Sequence, residues 1–217
     1  MDNAAWNLPP LAIEEKSFAI IDSEAGPHAW SPASWSVIRR LIHASADFEY
    51  VQDAVISPGA IEAGIRAVQS GPLIVTDTKM ALNGVNRQNF KDFGLTLSCL
   101  VDDARTLAIA KEKGLTRSQV AVDLAFDELI KPSQSVIWVI GNAPTALYRL
   151  LERLQDPASP RPSLLIALPV GFVNAYESKR DLALTPNLNF ITNKSRKGGS
   201  NVAAAAVNAL AKLALKK

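Results

Sequence analysis

Cysteine occurs once in this chain, at Cys99, so neither an intramolecular disulfide nor a thiolate metal cluster can be built. Cys99 lies in an apolar run and is expected to pack in the core. Histidine occurs twice, at His28 and His43, with no third ligand type placed nearby, which argues against zinc. No stretch approaches the roughly 18 apolar residues of a membrane span. The start, Met1-Asp2-Asn3-Ala4-Ala5-Trp6, has neither the basic beginning nor the apolar run of a secretory signal, so a cytoplasmic location is expected. The net charge is only +2, with no dense Lys/Arg block outside the short tail, and aromatic residues are too sparse to interleave with the scattered cations. That pattern does not describe a nucleic-acid groove.

What is present is an ordinary globular composition in 217 residues, enough to bury a real core. One domain over 1–217 with a short N-terminal arm is the simplest organisation, since neither a repeat nor a low-complexity linker is visible. Residues 1 to 16 are polar and contain Pro9-Pro10, which predicts an extended arm with a short helix near Ile13. Ser17 to Ile21 fits a helix or a short strand. Ser31-Pro32 starts a helix, serine capping and proline at the first helical position, that ends near Asp47. A second amphipathic helix runs from Ser57-Pro58 to Gln69. Strands are predicted at Leu73–Thr76, Leu95–Val101, Val136–Ile140, Leu164–Leu168 and Phe190–Thr192, with helices between them. Asp102-Asp103 caps a helix to Lys113, Thr116-Arg117-Ser118-Gln119 is a capping box opening another to about Ile130, and an alanine-rich helix closes the chain.

Short apolar strands alternating with helices imply a mostly parallel sheet covered on both faces. In such folds ligands bind beyond the carboxyl ends of the strands. The unusual turns all fall there: Asp77-Thr78, Gly141-Asn142, Pro169-Val170-Gly171, and Asn193 to Ser200. Gly141-Asn142-Ala143-Pro144-Thr145 lacks the second and third glycines of a dinucleotide fingerprint, and Lys197-Gly198-Gly199-Ser200 lacks the long loop of a Walker motif. Both are tight strand-to-helix turns, and both place N–H groups at a helix N-terminus, which suits an anion.

Between Trp35 and Tyr50, Trp35, Ile38, Leu41 and Ile42 fall on one side of a helix, and Ser36, Arg39, Arg40 and His43 on the other. A histidine so placed does not fill the core. The arginines lower its pKa and the helix C-terminus raises it, so the sequence leaves the net direction open. Arg40, Lys79, Arg87, Lys179, Arg180, Arg196 and Lys197 spread over the strand-end region; each alone reads as solvated surface, and together they would suit a polyanionic ligand.

Five motifs in order carry a resemblance: Arg40-Leu41-Ile42-His43-Ala44; Asp77-Thr78-Lys79-Met80 with Gly84 and Arg87; Gly141 to Leu147; Pro169-Val170-Gly171-Phe172-Val173 with Glu177-Ser178-Lys179; and Arg196 with Gly198-Gly199-Ser200. From Ser17 to Asn208 the chain resembles the precorrin-8X methylmutase (precorrin isomerase) and cobalt-precorrin-8 methylmutase family. The resemblance implies a flavodoxin-like three-layer α/β sandwich and a homodimer with sites near the subunit interface. It also implies movement of a methyl group from ring carbon 11 to ring carbon 12 of a corrin precursor, giving hydrogenobyrinate or cobyrinate in cobalamin biosynthesis. By the same resemblance His43 is the catalytic acid, Ser17 and Arg40 match substrate-contacting positions, and the corrinoid product is held tightly. The chain departs from the family at Ala46, where glycine is frequent, and at Ser195, where glycine usually precedes the arginine.

The chemistry agrees with this assignment. A carboxylate-edged macrocycle asks for apolar walls and a rim of cations and N–H donors, here Arg40 and the helix N-termini after Gly141 and Gly199. A methyl shift within one conjugated ring asks for a proton donor, and no redox cofactor or catalytic metal is expected. Two rivals remain at this stage: a non-catalytic corrinoid carrier on the same fold, and a nucleotide- or phosphosugar-binding enzyme using the glycine turns.

Overall fold

The structure is a computed structural model that describes residues 9–131 and 133–216; residues 1–8 of the arm expected over 1–16 lie outside them. Six strands form one sheet: β1 (Ala54–Ile56), β2 (Leu73–Thr76), β3 (Thr96–Ser98), β4 (Val136–Ile140), β5 (Leu164–Ala167) and β6 (Phe190–Asn193). Their lateral order is β1-β6-β5-β4-β2-β3, and only β1 is antiparallel, paired to β6. Without β1, the parallel strands run 2-1-3-4-5 in chain order, the flavodoxin-like winding, with its reversal of direction between β2 and β4. The antiparallel edge strand was not foreseen: three residues are too few to show a period.

The helices are α1 (Pro10–Glu24), α2 (Pro32–Ser45), α3 (Tyr50–Asp53), α4 (Ala60–Gln69), α5 (Lys79–Gly84), α6 (Ala104–Lys113), α7 (Arg117–Leu124), α8 (Pro144–Arg153), α9 (Ala175–Leu184) and α10 (Ser200–Ala214). Strand side chains alternate between two cores. Ile74, Ile137, Val139, Leu164 and Ile166 face α2, α4 and α10, with Ile21 of α1 joining that core through its packing on α2. Val75, Trp138, Ile140, Leu165 and Ala167 face the layer of α7, α8 and α9. All five residues of β4 are buried, and a fully buried Val or Ile side chain contributes roughly 1.5–3 kcal/mol. This is the expected three-layer sandwich, and Cys99 is buried as expected.

The N-terminal region differs from expectation. Pro10 stands at the first helical position, where a missing N–H costs nothing, and the helix runs fifteen residues, through Ser17–Ile21. It was hard to read because Leu11, Ile13 and Ile20 are exposed and spread its apolar positions around the helix. Thr116 and Gln119 do form the capping box, and α7 continues through a π-helical turn, Ala125–Leu129.

Candidate active site

Ser31 accepts a hydrogen bond from the Ser34 N–H at 3.2 Å and starts α2 as predicted. Val37, Ile38, Leu41 and Ile42 are buried, and Trp35 is half-buried with its indole N–H on Asp22 Oδ1 at 2.7 Å. Arg39, Arg40 and His43 lie off that stripe, with His43 exposed in the last turn. The helix stops at Ser45, two residues before the expected end. Ala46 is left-handed (φ 54°), and its N–H closes the last turn onto the Ile42 carbonyl. Glycine suits that backbone, and an alanine there is strained.

Helix α1 lies along this polar flank. Glu14, Phe18 and Ile21 face α2, and Ser17 shares their helical spacing. The Phe18 ring meets the His43 ring edge-on, centroids 5.4 Å apart, and carries the guanidinium of Arg39 at 4.4 Å and that of Arg40 at 5.2 Å. Glu14 pairs with Arg40 at 2.5 Å and accepts from Lys212 of α10 at 2.7 and 2.9 Å. Ser17 shares the helical spacing of Glu14 and Phe18, but its hydroxyl is engaged within its own helix, donating to the Ile13 carbonyl at 2.8 Å. Glu14 and Lys212 were not singled out in the sequence. Glu14 shares the helical spacing of Ser17 and Phe18. Asn201, Asn208 and Lys212 form one polar stripe on the otherwise apolar α10.

These neighbours settle the direction of the His43 pKa, which lies below the ordinary histidine value. Partial burial is the largest cause, followed by the Arg40 charge; Glu14 opposes them and Lys212 adds to them. Burial acts to raise the Glu14 pKa, yet Lys212 and Arg40 hold it below the usual range. At neutral pH the site therefore contains a neutral imidazole, two cations and one carboxylate.

The strand-end turns converge as expected. The Asn201 amide donates to the Ala44 carbonyl at 3.1 Å, and Lys197 pairs with Asp47 at 2.6 Å and Glu49 at 2.9 Å, so the end of α2 is stapled to the β6–α10 turn. Thr78 Oγ1 and Ser200 Oγ are 2.7 Å apart. A Cβ on Gly141 would stand 2.7 Å from Ser200 Cα, and one on Gly198 would stand 2.1 Å from the Leu168 carbonyl oxygen. Both glycines serve close backbone approach.

Two expectations need correction here. The N–H groups of Gly141, Asn142 and Ala143 do not await a ligand: they donate to the buried Asp77 carboxylate at 3.0, 2.8 and 2.7 Å. Burial raises the Asp77 pKa even against those bonds. The supposed basic rim is also largely neutralised. Arg40 pairs with Glu14, Lys79 with Asp102, Arg180 with Asp181, and Lys197 with Asp47 and Glu49. Lys179 is only 1% exposed. Its ammonium nitrogen donates to Asn193 Oδ1 at 2.7 Å and the Lys197 carbonyl at 2.8 Å, and burial lowers its pKa to about 7. Arg196 is exposed, 5.7 Å from the Phe172 ring.

Apolar surface for a large ligand is available at the same end. Phe172 and Val173, in the turn after β5, are 84% and 77% exposed. His43 is exposed and the Arg40 and Glu14 side chains are partly so, which leaves the site facing outward as an open face on the single chain. His28 stacks on Trp35 at 4.0 Å and is part of a separate hollow with Trp30 and Phe48.

Comparisons with known proteins bear on the family and the fold. A family model described as precorrin-8X methylmutase matches residues 12–213. A cobalt-precorrin-8 methylmutase of Leptospira interrogans is 42% identical over 212 residues, covering 94% of each chain. A precorrin-8X methylmutase of Pseudomonas aeruginosa is 42% identical over 202 residues, covering 92% of this chain and 94% of its own. The crystal structure of a precorrin-8X methylmutase from Thermus thermophilus superposes with a TM-score of 0.84 at 43% identity, covering 94% of this chain and 96% of that one.

Proposed function

The chain belongs to the precorrin-8X methylmutase family and is an isomerase of cobalamin biosynthesis, and we propose that it moves a methyl group from ring carbon 11 to ring carbon 12 of precorrin-8X or cobalt-precorrin-8. The products are then hydrogenobyrinate and cobyrinate. The observation that carries this reading is the placement of His43, an exposed imidazole braced by Phe18 at the end of α2 where the strand-end turns converge. Relatives at equal identity are named for the metal-free and the cobalt-containing substrate, so both belong in the assay.

His43 acts as general acid toward a ring nitrogen. A proton there redistributes electrons in the conjugated system and eases the sigmatropic shift, with no nucleophile required, and it returns to His43 once the methyl group has moved, so that product and substrate are isomers. Arg40 and Ser17 hold peripheral groups of the ring. Phe172 and Val173 supply apolar wall, and Arg196 supplies a cation beside them. The lowered His43 pKa fits an acid that is charged only when substrate arrives. The several carboxylate arms of the macrocycle bring negative charge to the site beyond that of Glu14, which favours imidazolium against the burial and the Arg40 charge that disfavour it. The sign of the pH dependence follows. In the free enzyme the active, protonated form is lost as pH rises through a value below 6.5, so kcat/KM falls with increasing pH with its midpoint there, while kcat falls at higher pH.

We read the whole chain as one domain, supported by the single continuous sheet, and as a homodimer, supported by the open face at His43 and the exposed apolar side chains of α1 and the β5–α9 turn. The test is turnover of both substrates by the wild type and by His43→Ala. The variant should fold and retain corrinoid through gel filtration while losing at least about a hundredfold in kcat, the usual span of a general acid. Near-wild-type turnover by the variant removes His43 from the mechanism. Wild-type protein that binds corrinoid without isomerising it is a carrier.

A further inference from the structure

Arg40, expected to hold a carboxylate of the substrate, already faces one in this structure. Glu14 reaches its guanidinium at 2.5 Å and the Lys212 ammonium at 2.7 and 2.9 Å, so two cations from different helices share one carboxylate beside His43. The side chains are graded in accessibility, with Arg40 at 15%, Glu14 at 23% and Lys212 at 40% exposed. A ligand approaching the open face meets Lys212 first and Arg40 behind it.

Glu14 is not what docks α1. Ile21 is buried in the core, and Asp22 binds both the Trp35 indole at 2.7 Å and Arg39 at 2.5 Å. Phe18 lies against Arg39, Arg40 and His43. With the helix held by those contacts, the Glu14 side chain can leave the two cations by a rotamer change alone. Charge-assisted pairing then passes to another carboxylate at little net cost, since one anion replaces another.

We infer that Arg40 and Lys212 form a two-cation subsite for one carboxylate arm of the macrocycle, and that Glu14 is an internal stand-in occupying it until substrate does. This rests on the reading of the chain as an isomerase of a polycarboxylate tetrapyrrole. It makes Lys212 a further substrate-binding residue and Glu14 a specificity-determining one. A ligand without a carboxylate at that edge has nothing with which to displace Glu14.

The sign of one variant separates this from a buttressing role. If Glu14 competes with substrate, Glu14→Gln tightens binding; if it only props Arg40 in place, the same change weakens it. Hydrogenobyrinate is titrated into wild type, Glu14→Gln and Lys212→Met, followed by its visible spectrum. Glu14→Gln should bind about five- to tenfold more tightly, the factor by which removing the closed state raises the competent fraction. Lys212→Met should bind about tenfold more weakly through loss of a charge-assisted contact. The methyl-esterified corrinoid, which has no free carboxylate, should bind wild type and Glu14→Gln alike. Unchanged or weaker acid binding by Glu14→Gln, or unchanged binding by Lys212→Met, overturns the inference. So does equal tightening toward the ester. Wild type that neither binds nor isomerises any corrinoid overturns instead the functional reading beneath it.

Discussion

At Ala46 the backbone is left-handed immediately after the helix that carries His43, which places the methyl group against the following carbonyl. Ala46→Gly removes that clash and is expected to raise stability by about 1 kcal/mol, seen as a higher denaturant midpoint with an unchanged slope. An unaltered midpoint contradicts the account of the cap. Lys179 makes a second prediction at this scale. Its amine titrates near 7 in the folded protein, against about 10.4 in the unfolded chain. Between those values unfolding takes up a proton, so the contribution of Lys179 to stability rises with pH from 7 to 10. Lys179→Met should flatten that part of the pH–stability curve, measured by denaturant titration at pH 7 and pH 9.5. The off-stripe position of His43 was legible from helical period alone. Its proton affinity was not, because the groups that set it besides Arg40 are Glu14 and Lys212, each remote in sequence and fixed only by how α1 and α10 pack on α2.

Among the elements, the strand-to-helix turns were legible as the functional end of the sheet, since the five parallel strands are short apolar runs and the polar turns follow them. What those turns do was not legible. The Gly141 turn sits at the point where strand order reverses, where ligands of such folds bind, yet its N–H groups are capped internally by Asp77. A sequence shows donors at a helix start without showing that an acceptor comes from another strand. Asp77→Asn puts an amide donor among three N–H donors and should cost about 2–3 kcal/mol, read from thermal or denaturant unfolding. Gly141→Ala forces the start of α10 away from β4 and should cost about 1–3 kcal/mol while also lowering kcat, because Asn201 ties that end of α10 to the turn after His43. A variant of normal stability and activity contradicts the close approach described. Helix α1 shows the converse failure of sequence reading. Its exposed Leu11, Ile13 and Ile20 blurred the period of the face that matters, Glu14, Ser17, Phe18 and Ile21.

For the whole molecule, the 2-1-3-4-5 winding delivers β2, β4, β5 and β6 with their carboxyl ends at one edge, and α10 runs back from that edge beside α2. The result is a rigid sheet edge flanked by a helix pair, with His43 where the two meet. Because this face is open, a second copy of the chain is expected to close it, and sedimentation equilibrium should give twice the monomer mass; a monomer at micromolar concentration contradicts that expectation. The central claim concerns one methyl group and one imidazole, and isotope placement reads it directly. Precorrin-8X carrying 13C in the methyl group at ring carbon 11 is incubated with wild type and with His43→Ala, and the label is located by NMR. The account predicts that the label moves to ring carbon 12 with the wild type and stays at carbon 11 with the variant. Label remaining at carbon 11 with the wild type, or moving at the same rate in both proteins, contradicts it.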